Sequence, residues 1–292
     1  MTLKQKLIVI VGPTASGKSE FAVKLAKKIN GEIISADSRQ IYRGLDIGTG
    51  KVLGKWIKDK FIYKGIVHHC IDFVSPKNIF TAAEYKKCAQ RAIEDIMGRG
   101  KTPILVGGTG FWIDAVVFDL KLPEVPPNFK LRKKLEKKSS RELLEILKKL
   151  DPRRAKTVEQ KNPRRLIRAI EIAKALGRVP VLKKREHYQA TWIGIDPDRK
   201  TLEKKITHRA SQMLKRGLVR EVKNLLKKGI TKKRIKEFGF EYKTVLDYLD
   251  KKVAYREIRS LLVRDTLRYA RRQMTWFKRN KEIKWTEKTL NL

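Results

Sequence analysis

Apolar residues cluster first at Leu7 to Val11, a five-residue run that ends directly on Gly12-Pro13-Thr14-Ala15-Ser16-Gly17-Lys18-Ser19. A short continuous apolar run closed by glycine reads as a buried strand. Behind it, Phe21, Ala22, Leu25, Ala26 and Ile29 recur at helical spacing, and Gly31 is the expected helix stop. Glu32 to Ala36 reads as a second short strand, ending at Asp37, and glycines at 44, 48, 50 and 54 predict a loop. Thr81 followed three residues on by Glu84 predicts a capping box. The helix it opens carries its apolar stripe on Tyr85, Cys88, Ala89, Ala92, Ile93 and Ile96. Pro103 to Val106 is the next buried strand, closed by Gly107-Gly108-Thr109-Gly110. Strands alternating with helices predict an α/β fold, a parallel sheet flanked by helices.

The pattern changes at Leu122-Pro123-Glu124-Val125-Pro126-Pro127, a linker by its prolines. Beyond it, Leu143, Leu144, Ile146, Leu147 and Leu150 define one helix. Leu166, Ile167, Ile170, Ile172, Ala173 and Leu176 define another, ended by Gly177. Lys130 to Ala190 holds 21 basic and 7 acidic residues, a net of +14, so this is an all-helical insertion with a basic surface. Thr191 to Ile195 returns to strand, and Asp196-Pro197 is the expected start of a long helix. Leu202, Ile206, Met213 and Leu214 are expected to face inward from it, with Arg209 on its other flank. Gly217 and Gly229 punctuate the chain after that helix. A tail helix carries Leu261, Leu262, Leu267, Tyr269, Met274 and Trp276, with nine basic residues between Arg256 and Lys281; a basic helix with aromatics suits a nucleic-acid groove, and Trp276 and Phe277 equally suit the core. The division expected is a core in two parts, 1–121 and 190–292, around an insertion at 122–189.

Charge sharpens this picture. Lys and Arg total 70 against 31 Asp and Glu, a formal net of +39. Such an excess is the footprint of a polyanionic partner, nucleic acid or an acidic membrane face. No apolar run approaches the 18 residues of a membrane span, and the first is too short for a signal peptide. Two cysteines, Cys70 and Cys88, form no disulfide framework and point to a reducing compartment, here the cytoplasm. His68-His69-Cys70 is adjacent rather than spaced for one tetrahedral ion, so it reads as structural.

The chemistry sits in Gly12 to Ser19, the G-x-x-x-x-G-K-S pattern of a P-loop, between strand and helix as that pattern requires. Glycines let successive N–H groups converge on an anion, the helix start adds its positive end, and Lys18 adds a full charge. Ser19 offers a hydroxyl to Mg2+. Asp37, at the carboxyl end of its strand, falls on the same rim. An ordinary P-loop ATPase would end the Pro103–Val106 strand in a magnesium-holding aspartate, whereas this chain places Gly107-Gly108-Thr109-Gly110 there. Those glycines admit something large near the backbone, and Thr109 is either a contact residue or a helix cap. Arg164, Arg165 and Arg168, at the start of the second insertion helix, would attract phosphate. From the residues alone three readings stand: a nucleotide kinase with Asp37 as base, a transferase acting on a nucleic-acid acceptor, or an NTP-driven RNA-binding switch. The +14 insertion disfavours the first, and the missing aspartate disfavours the third.

Ordered blocks across nearly the whole chain resemble the tRNA dimethylallyltransferase family, bacterial type. They are GPTASGKS at 12–19, Asp37-Ser38-Arg39-Gln40-Ile41-Tyr42, Asp46-Ile47-Gly48-Thr49, His68-His69 with Ile71-Asp72, and Val106 to Gly110. Asn162-Pro163-Arg164-Arg165 with Arg168 to Glu171, Gly217-Leu218-Val219, and Arg272-Gln273-Met274-Thr275-Trp276-Phe277 complete them. The resemblance implies transfer of a dimethylallyl group from its diphosphate to N6 of the adenosine 3′ to the anticodon, position 37, in tRNAs reading codons that begin with U. It implies Asp37 as the base, and Thr14, Lys18 and Arg209 at the diphosphate, with Mg2+ on Ser19. It further implies tRNA contacts at Asp37, Ser38, Arg39, Gln40, Thr109, Arg132, Pro163, Arg164, Arg165, Leu166, Arg168, Gly239, Tyr242 and Lys243. A soluble monomer is expected. The block Phe238-Gly239-Phe240-Glu241-Tyr242-Lys243 keeps only the Gly-x-x-Tyr-Lys outline of the family, and Gly50-Lys51-Val52 lacks a proline common there. An adenylate isopentenyltransferase or a P-loop kinase is the alternative.

Overall fold

A computed structural model describes residues 5–287. The chain divides into two compact units, one formed by residues 1–119 and 185–292 and the other by Leu120–Lys184. The last five residues of the insertion expected at 122–189 thus lie in the first unit.

The first unit is built on an eight-stranded sheet. In chain order its first strands are β1 (Lys6–Val11), β2 (Gly31–Ala36), β3 (Lys55–Ile57), β4 (Lys60–Tyr63) and β5 (Ile66–His69). They are followed by β6 (Thr102–Gly107), β7 (Gln189–Ile195) and β8 (Lys284–Thr286). They lie in the order β3-β4-β5-β2-β6-β1-β7-β8. From β5 to β8 every pair is parallel, and β3 and β4 join antiparallel at one edge. The central strands β1, β2 and β6 are apolar on both faces because helices cover both. On one face Phe21, Ala22, Val23 and Ala26 of α1 (Lys18–Lys28) pack on Ile10, Ile33 and Ile104. On the other lie α2 (Ala82–Gly98), α3 (Gly110–Val117) and helices from the C-terminal half. The register Val11↔Gly107 and Ala36↔Gly107 brings the ends of β1, β2 and β6 level, so the loops leaving them share one rim.

The local signals act as expected at Thr81, whose hydroxyl accepts from Glu84 N–H while the Glu84 carboxylate accepts from Thr81 N–H at 2.7 Å. Three expectations need correction. Gly31 does not end α1; Asn30 makes the turn in a left-handed conformation (φ 50°), and Gly31 already opens β2. Asp196-Pro197 does not start the long helix, which is capped by Asp198 accepting from Thr201 N–H at 3.0 Å. Neither β8 nor the β3–β4 hairpin was anticipated, because three- and four-residue strands carry too few positions to show a period.

The insertion comprises α4 (Phe129–Leu135), α5 (Ser140–Leu150), α6 (Pro152–Thr157) and α7 (Pro163–Leu176). Leu143 and Leu147 of α5 pack on Leu166, Ile167 and Ile170 of α7 in a core of its own. Buried Glu171 accepts from Asn128 N–H at 2.6 Å and from the Arg132 guanidinium at 2.8 and 3.0 Å, and also from Arg168. Burial raises its carboxyl, but these donors hold it below the usual carboxylate range.

The C-terminal half of the core is helical: α8 (Arg199–Lys215), α9 (Leu218–Lys227), α10 (Lys232–Glu237), α11 (Phe240–Leu249) and α12 (Tyr255–Phe277). Helix α12 packs on the core along one face. It buries Ile258, Leu262, Ala270, Gln273 and Phe277, while Leu261, Leu267, Tyr269, Met274 and Trp276 are only partly covered. Among the described residues no helix is long and apolar enough to cross a membrane.

Candidate active site

The Gly12–Ser19 loop leaves β1 and turns into α1 through Ala15 (φ 63°) and Gly17 (φ 100°), an alternation that curls the backbone into an anion-holding nest. Within it, Ser16 N–H donates to the Pro13 carbonyl at 3.3 Å. The Lys18 ammonium folds back to that same carbonyl at 2.5 Å and to Ser16 Oγ at 3.4 Å. Burial lowers the Lys18 pKa from 10.5 to about 7; Asp37 opposes that shift and Arg209 adds to it. Asp37 offsets the burial of Lys18 only in part, so an anion entering the cavity would restore the full charge of the lysine.

Over this loop lies a cavity of about 330 Å³. Its polar wall includes Thr14 to Ser19, Asp37, Gln40, Thr49, Lys205, Arg209 and Gln273, and Ala22, Ile33, Val52, Ile71 and Val106 supply apolar surface. Arg209 donates to Thr14 Oγ1 at 3.3 Å and to the Thr49 carbonyl at 2.9 Å. It reaches them because residue 50 is glycine: a Cβ there would sit 2.2 Å from the Arg209 Nη2 atom. Thr14, Lys18, Arg209 and Asp37, four residues separated by up to 195 positions, therefore line one space.

Asp37 follows β2 and closes a turn in which its carboxylate accepts from Arg39 N–H at 2.9 Å. Ser38 N–H donates to Thr109 Oγ1 at 3.1 Å, so Thr109 joins two rim loops and does not cap α3 by its side chain, while its O–H remains able to donate. Gln40 donates weakly to the carbonyls of Thr49 and Gly50, at 3.4 and 3.5 Å. Behind the rim, Lys51 ties the 42–51 loop to Tyr42 O, Asp46 and Asp72 at 2.7, 2.6 and 2.5 Å. Glu221 accepts from three successive N–H groups, those of Asp46, Ile47 and Gly48, and from Tyr242 Oη at 2.9 Å.

Two of the predicted contact residues are corrected here. Tyr242 is wholly buried, with its hydroxyl on Glu221, and supports the 46–48 loop from within. Leu166 is wholly buried in the insertion's own core. Arg132 and Arg168 lie in the insertion with their guanidiniums on Glu171, whereas Pro163, Arg164 and Arg165 are exposed there. Lys243 is exposed on α11, one turn after Gly239 (φ 138°). The glycines after β6 do admit something large, but it is the chain's own α12. A Cβ on Gly108 would lie 2.1 Å from Gln273 Nε2, and one on Gly110 would lie 2.2 Å from the Trp276 ring.

Sequence reading also missed groups. Gln273 accepts from Thr14 N–H at 2.8 Å through Oε1 and donates to the Gly108 carbonyl at 3.0 Å through Nε2, clamping the phosphate loop to the loop after β6. Lys205, one helical turn before Arg209, lines the cavity, and that i, i+4 spacing was its available signal. Glu241, where the chain departs from the family outline, is pushed by burial up to about 7, with Arg209 and Arg39 opposing and Asp37 reinforcing the shift. His68 is buried and pushed down to about 4, and His69 binds Glu32 at 2.7 Å. Among the described residues no group of three or more His, Cys, Asp or Glu side chains is arranged to hold a metal.

A glycine-lysine cradle at the carboxyl ends of parallel strands, with an arginine converging on it and a carboxylate within electrostatic reach, defines a P-loop-type α/β group-transfer enzyme. The pattern of the family described as IPP transferase matches residues 40–280, and the chain belongs to that family. The tRNA dimethylallyltransferase of Acetivibrio thermocellus is 40% identical over 293 residues, 97% of this chain and 91% of its own. That of Anoxybacillus flavithermus is 38% identical over 98% of this chain and 91% of its own. The full-length tRNA isopentenylpyrophosphate transferase of Bacillus halodurans superposes with a TM-score of 0.70 at 38% identity, covering 97% of this chain and 90% of its own. A eukaryotic dimethylallyltransferase acting on tRNA superposes with a TM-score of 0.76 at 28% identity, over 94% of this chain and 70% of its own. The chain is accordingly a prenyltransferase.

Proposed function

We infer that this chain transfers the dimethylallyl group of dimethylallyl diphosphate to N6 of the adenosine at tRNA position 37, as a cytoplasmic monomer. The observation that carries the reading is the meeting of Thr14, Lys18 and Arg209 with Asp37 around one cavity that also has apolar walls. A nucleotide kinase needs no such apolar surface beside its phosphates, whereas a five-carbon allylic donor does. The relatives' names give the transferred group and the acceptor class.

In the reaction the allylic C1–O bond breaks and diphosphate leaves, while N6 bonds to C1 and loses a proton. Charge grows on the diphosphate oxygens as the bond breaks. Lys18, Arg209 and the loop N–H groups not engaged within the protein border the space where that charge would develop and would turn onto it, and losing one such donor typically costs about 10²–10³ in rate. Thr14 Oγ1, which accepts from Arg209, would contact the oxygen at the reacting end. Asp37 orients the exocyclic amine and accepts its proton. The adenine must leave its stack to enter the cavity.

The residues fit a magnesium ion held mainly by its substrate. Ser19 supplies one protein oxygen at the cavity, and neighbouring Glu20 is engaged by Tyr63 and Lys64 at 2.7 and 2.5 Å. An ion that retains waters and takes most ligands from phosphate suits that donor set, and when bound it would neutralise the leaving diphosphate. For RNA, exposed Arg164 and Arg165 on the insertion, Arg39 and Gln40 at the rim, and Lys243 are the proposed contacts, with a backbone contact at Gly239.

Lys18→Ala separates the two halves of the reading. Transfer of labelled dimethylallyl should fall at least about 10²-fold, with tRNA affinity in a filter-binding titration nearly unchanged. Equal loss of both would contradict the assignment of the loop to the donor.

A further inference from the structure

The two cysteines of the chain, 18 positions apart, place their Sγ atoms 2.8 Å from each other. Cys70 is buried just after β5, in a left-handed conformation (φ 55°); Cys88 is partly exposed on α2 and lines a surface cavity of about 590 Å³ with Lys87 and Arg91. Both are free thiols, and a disulfide, at about 2.05 Å, requires them to approach by less than an ångström. We propose that Cys70 and Cys88 form a reversible disulfide in the presence of a peroxide, and that closing it disturbs the acceptor side of the active site.

The chemistry assigns the order. The hydrogen bond from Cys70 holds the Cys88 thiol below its usual range, aided by Arg91, while the same contact and burial push Cys70 up. The Cys88 thiolate attacks one peroxide oxygen; the O–O bond breaks, leaving a sulfenic acid on Cys88 and a hydroxide that becomes water. Cys70 sulfur then attacks the Cys88 sulfur, the S–O bond breaks, and a second water leaves with the Cys70 proton. The peroxide gains two electrons and the dithiol loses two. A thiol reductant reverses the change.

The mechanical link runs through the residues just after Cys70. Ile71 lines the active-site cavity. Asp72 N–H donates to the Gln40 carbonyl, and Phe73 and Val74 N–H to that of Ile41, each at 2.9 Å. The Asp72 carboxylate holds Lys51 at 2.5 Å and Trp56 Nε1 at 2.9 Å. Pulling Cys70 toward α2 therefore loads the strip that anchors Gln40, three residues from Asp37.

The test uses the full chain, reduced or treated with hydrogen peroxide, then alkylated under denaturing conditions and weighed intact. The proposal expects a species two hydrogens lighter with both cysteines protected, restored by dithiothreitol and absent in Cys88→Ser. In Cys70→Ser it expects a Cys88 sulfenic acid trapped by dimedone. Amide exchange of residues 71–74 should be faster in the oxidised form. The transfer rate, which rests on the function inferred above, should fall about tenfold, the scale of a sub-ångström displacement at a reacting site. Persistence of two alkylatable thiols after peroxide, or a disulfide with unchanged exchange at 71–74, would overturn the proposal. Absence of transfer in the reduced protein would instead count against the inferred activity and leave the mass and exchange results to decide the disulfide.

Discussion

Replacing Gln273 by alanine tests whether the phosphate loop is held in place from α12. The side chain makes two hydrogen bonds, to Thr14 N–H at 2.8 Å and to the Gly108 carbonyl at 3.0 Å, and is itself buried. Each bond contributes about 0.5–1.5 kcal/mol net, and a partner left unpaired costs about 1–3 kcal/mol. Because both partners border a cavity that water can enter, the lower part of the range applies, about 2–3 kcal/mol for the pair. For a unit of this size that is a fall in Tm of several degrees, at about 2–4 °C per kcal/mol. The effect on turnover should be larger than stability alone implies. Thr14 carries both the clamp and the hydroxyl that meets Arg209, and a misplacement of about 1 Å at a reacting centre costs about 10² in rate. Gln273→Met, which keeps the volume and loses both bonds, should behave like Gln273→Ala in transfer and fall less in Tm. The assay is kcat and KM for dimethylallyl diphosphate with tRNA saturating, beside a thermal scan of each variant. A Gln273→Ala enzyme that loses Tm but transfers at the wild-type rate would refute the clamp.

Diphosphate affinity should weaken as pH rises through 7. Burial lowers Lys18 in the cavity to about 7 and raises Glu241, outside the cavity wall but within electrostatic reach of Arg209 and Asp37, to about 7. As pH rises the cavity therefore loses the Lys18 charge while its surroundings gain a negative one; at lower pH the lysine is charged and the carboxyl neutral. Isothermal titration with pyrophosphate at pH 6, 7 and 8 reads this, with proton uptake on binding at pH 8; a pH-independent affinity would contradict it. Replacing Arg164 and Arg165 together with alanine should weaken tRNA binding and lower the slope of log affinity against log salt by about 2, one per phosphate contact. An unchanged slope would remove the insertion from the RNA contacts. Glu171→Ala should destabilise the insertion by about 1–3 kcal/mol, because the Asn128 N–H and the partly exposed Arg132 and Arg168 lose their shared acceptor. Limited proteolysis should then cut within 120–184 first, and an unaltered cleavage pattern would contradict that.

What was legible in the sequence is what local chemistry decides. The loop at 12–19 needs glycines and a lysine at fixed offsets, and the Thr81–Glu84 box closes within four residues, so both can be read without knowing the fold. The packing of α12 could not be. Its buried face includes Gln273, a polar residue satisfied by Thr14 and Gly108, which a pattern of apolar positions does not mark. Gly108 and Gly110 announced a close approach, and only the fold shows that Gln273 and Trp276 make it. The family outline marked Leu166 and Tyr242, yet both are buried: their positions are fixed by the helices and loops they support, and no linear pattern distinguishes that from contact with RNA. The Cys70–Cys88 contact joins the end of a strand to a helix and leaves no trace in spacing.

The central claim is that the Gly12–Ser19 cradle binds the leaving group of a prenyl donor and that tRNA supplies the acceptor. Mass spectrometry of nucleosides from tRNA incubated with the protein, isotopically labelled dimethylallyl diphosphate and magnesium tests it most directly. The account predicts the label on N6 of the adenosine beside the anticodon, with ATP neither required nor consumed. Unlabelled tRNA together with transfer of the γ-phosphate of ATP to a small nucleotide would contradict it.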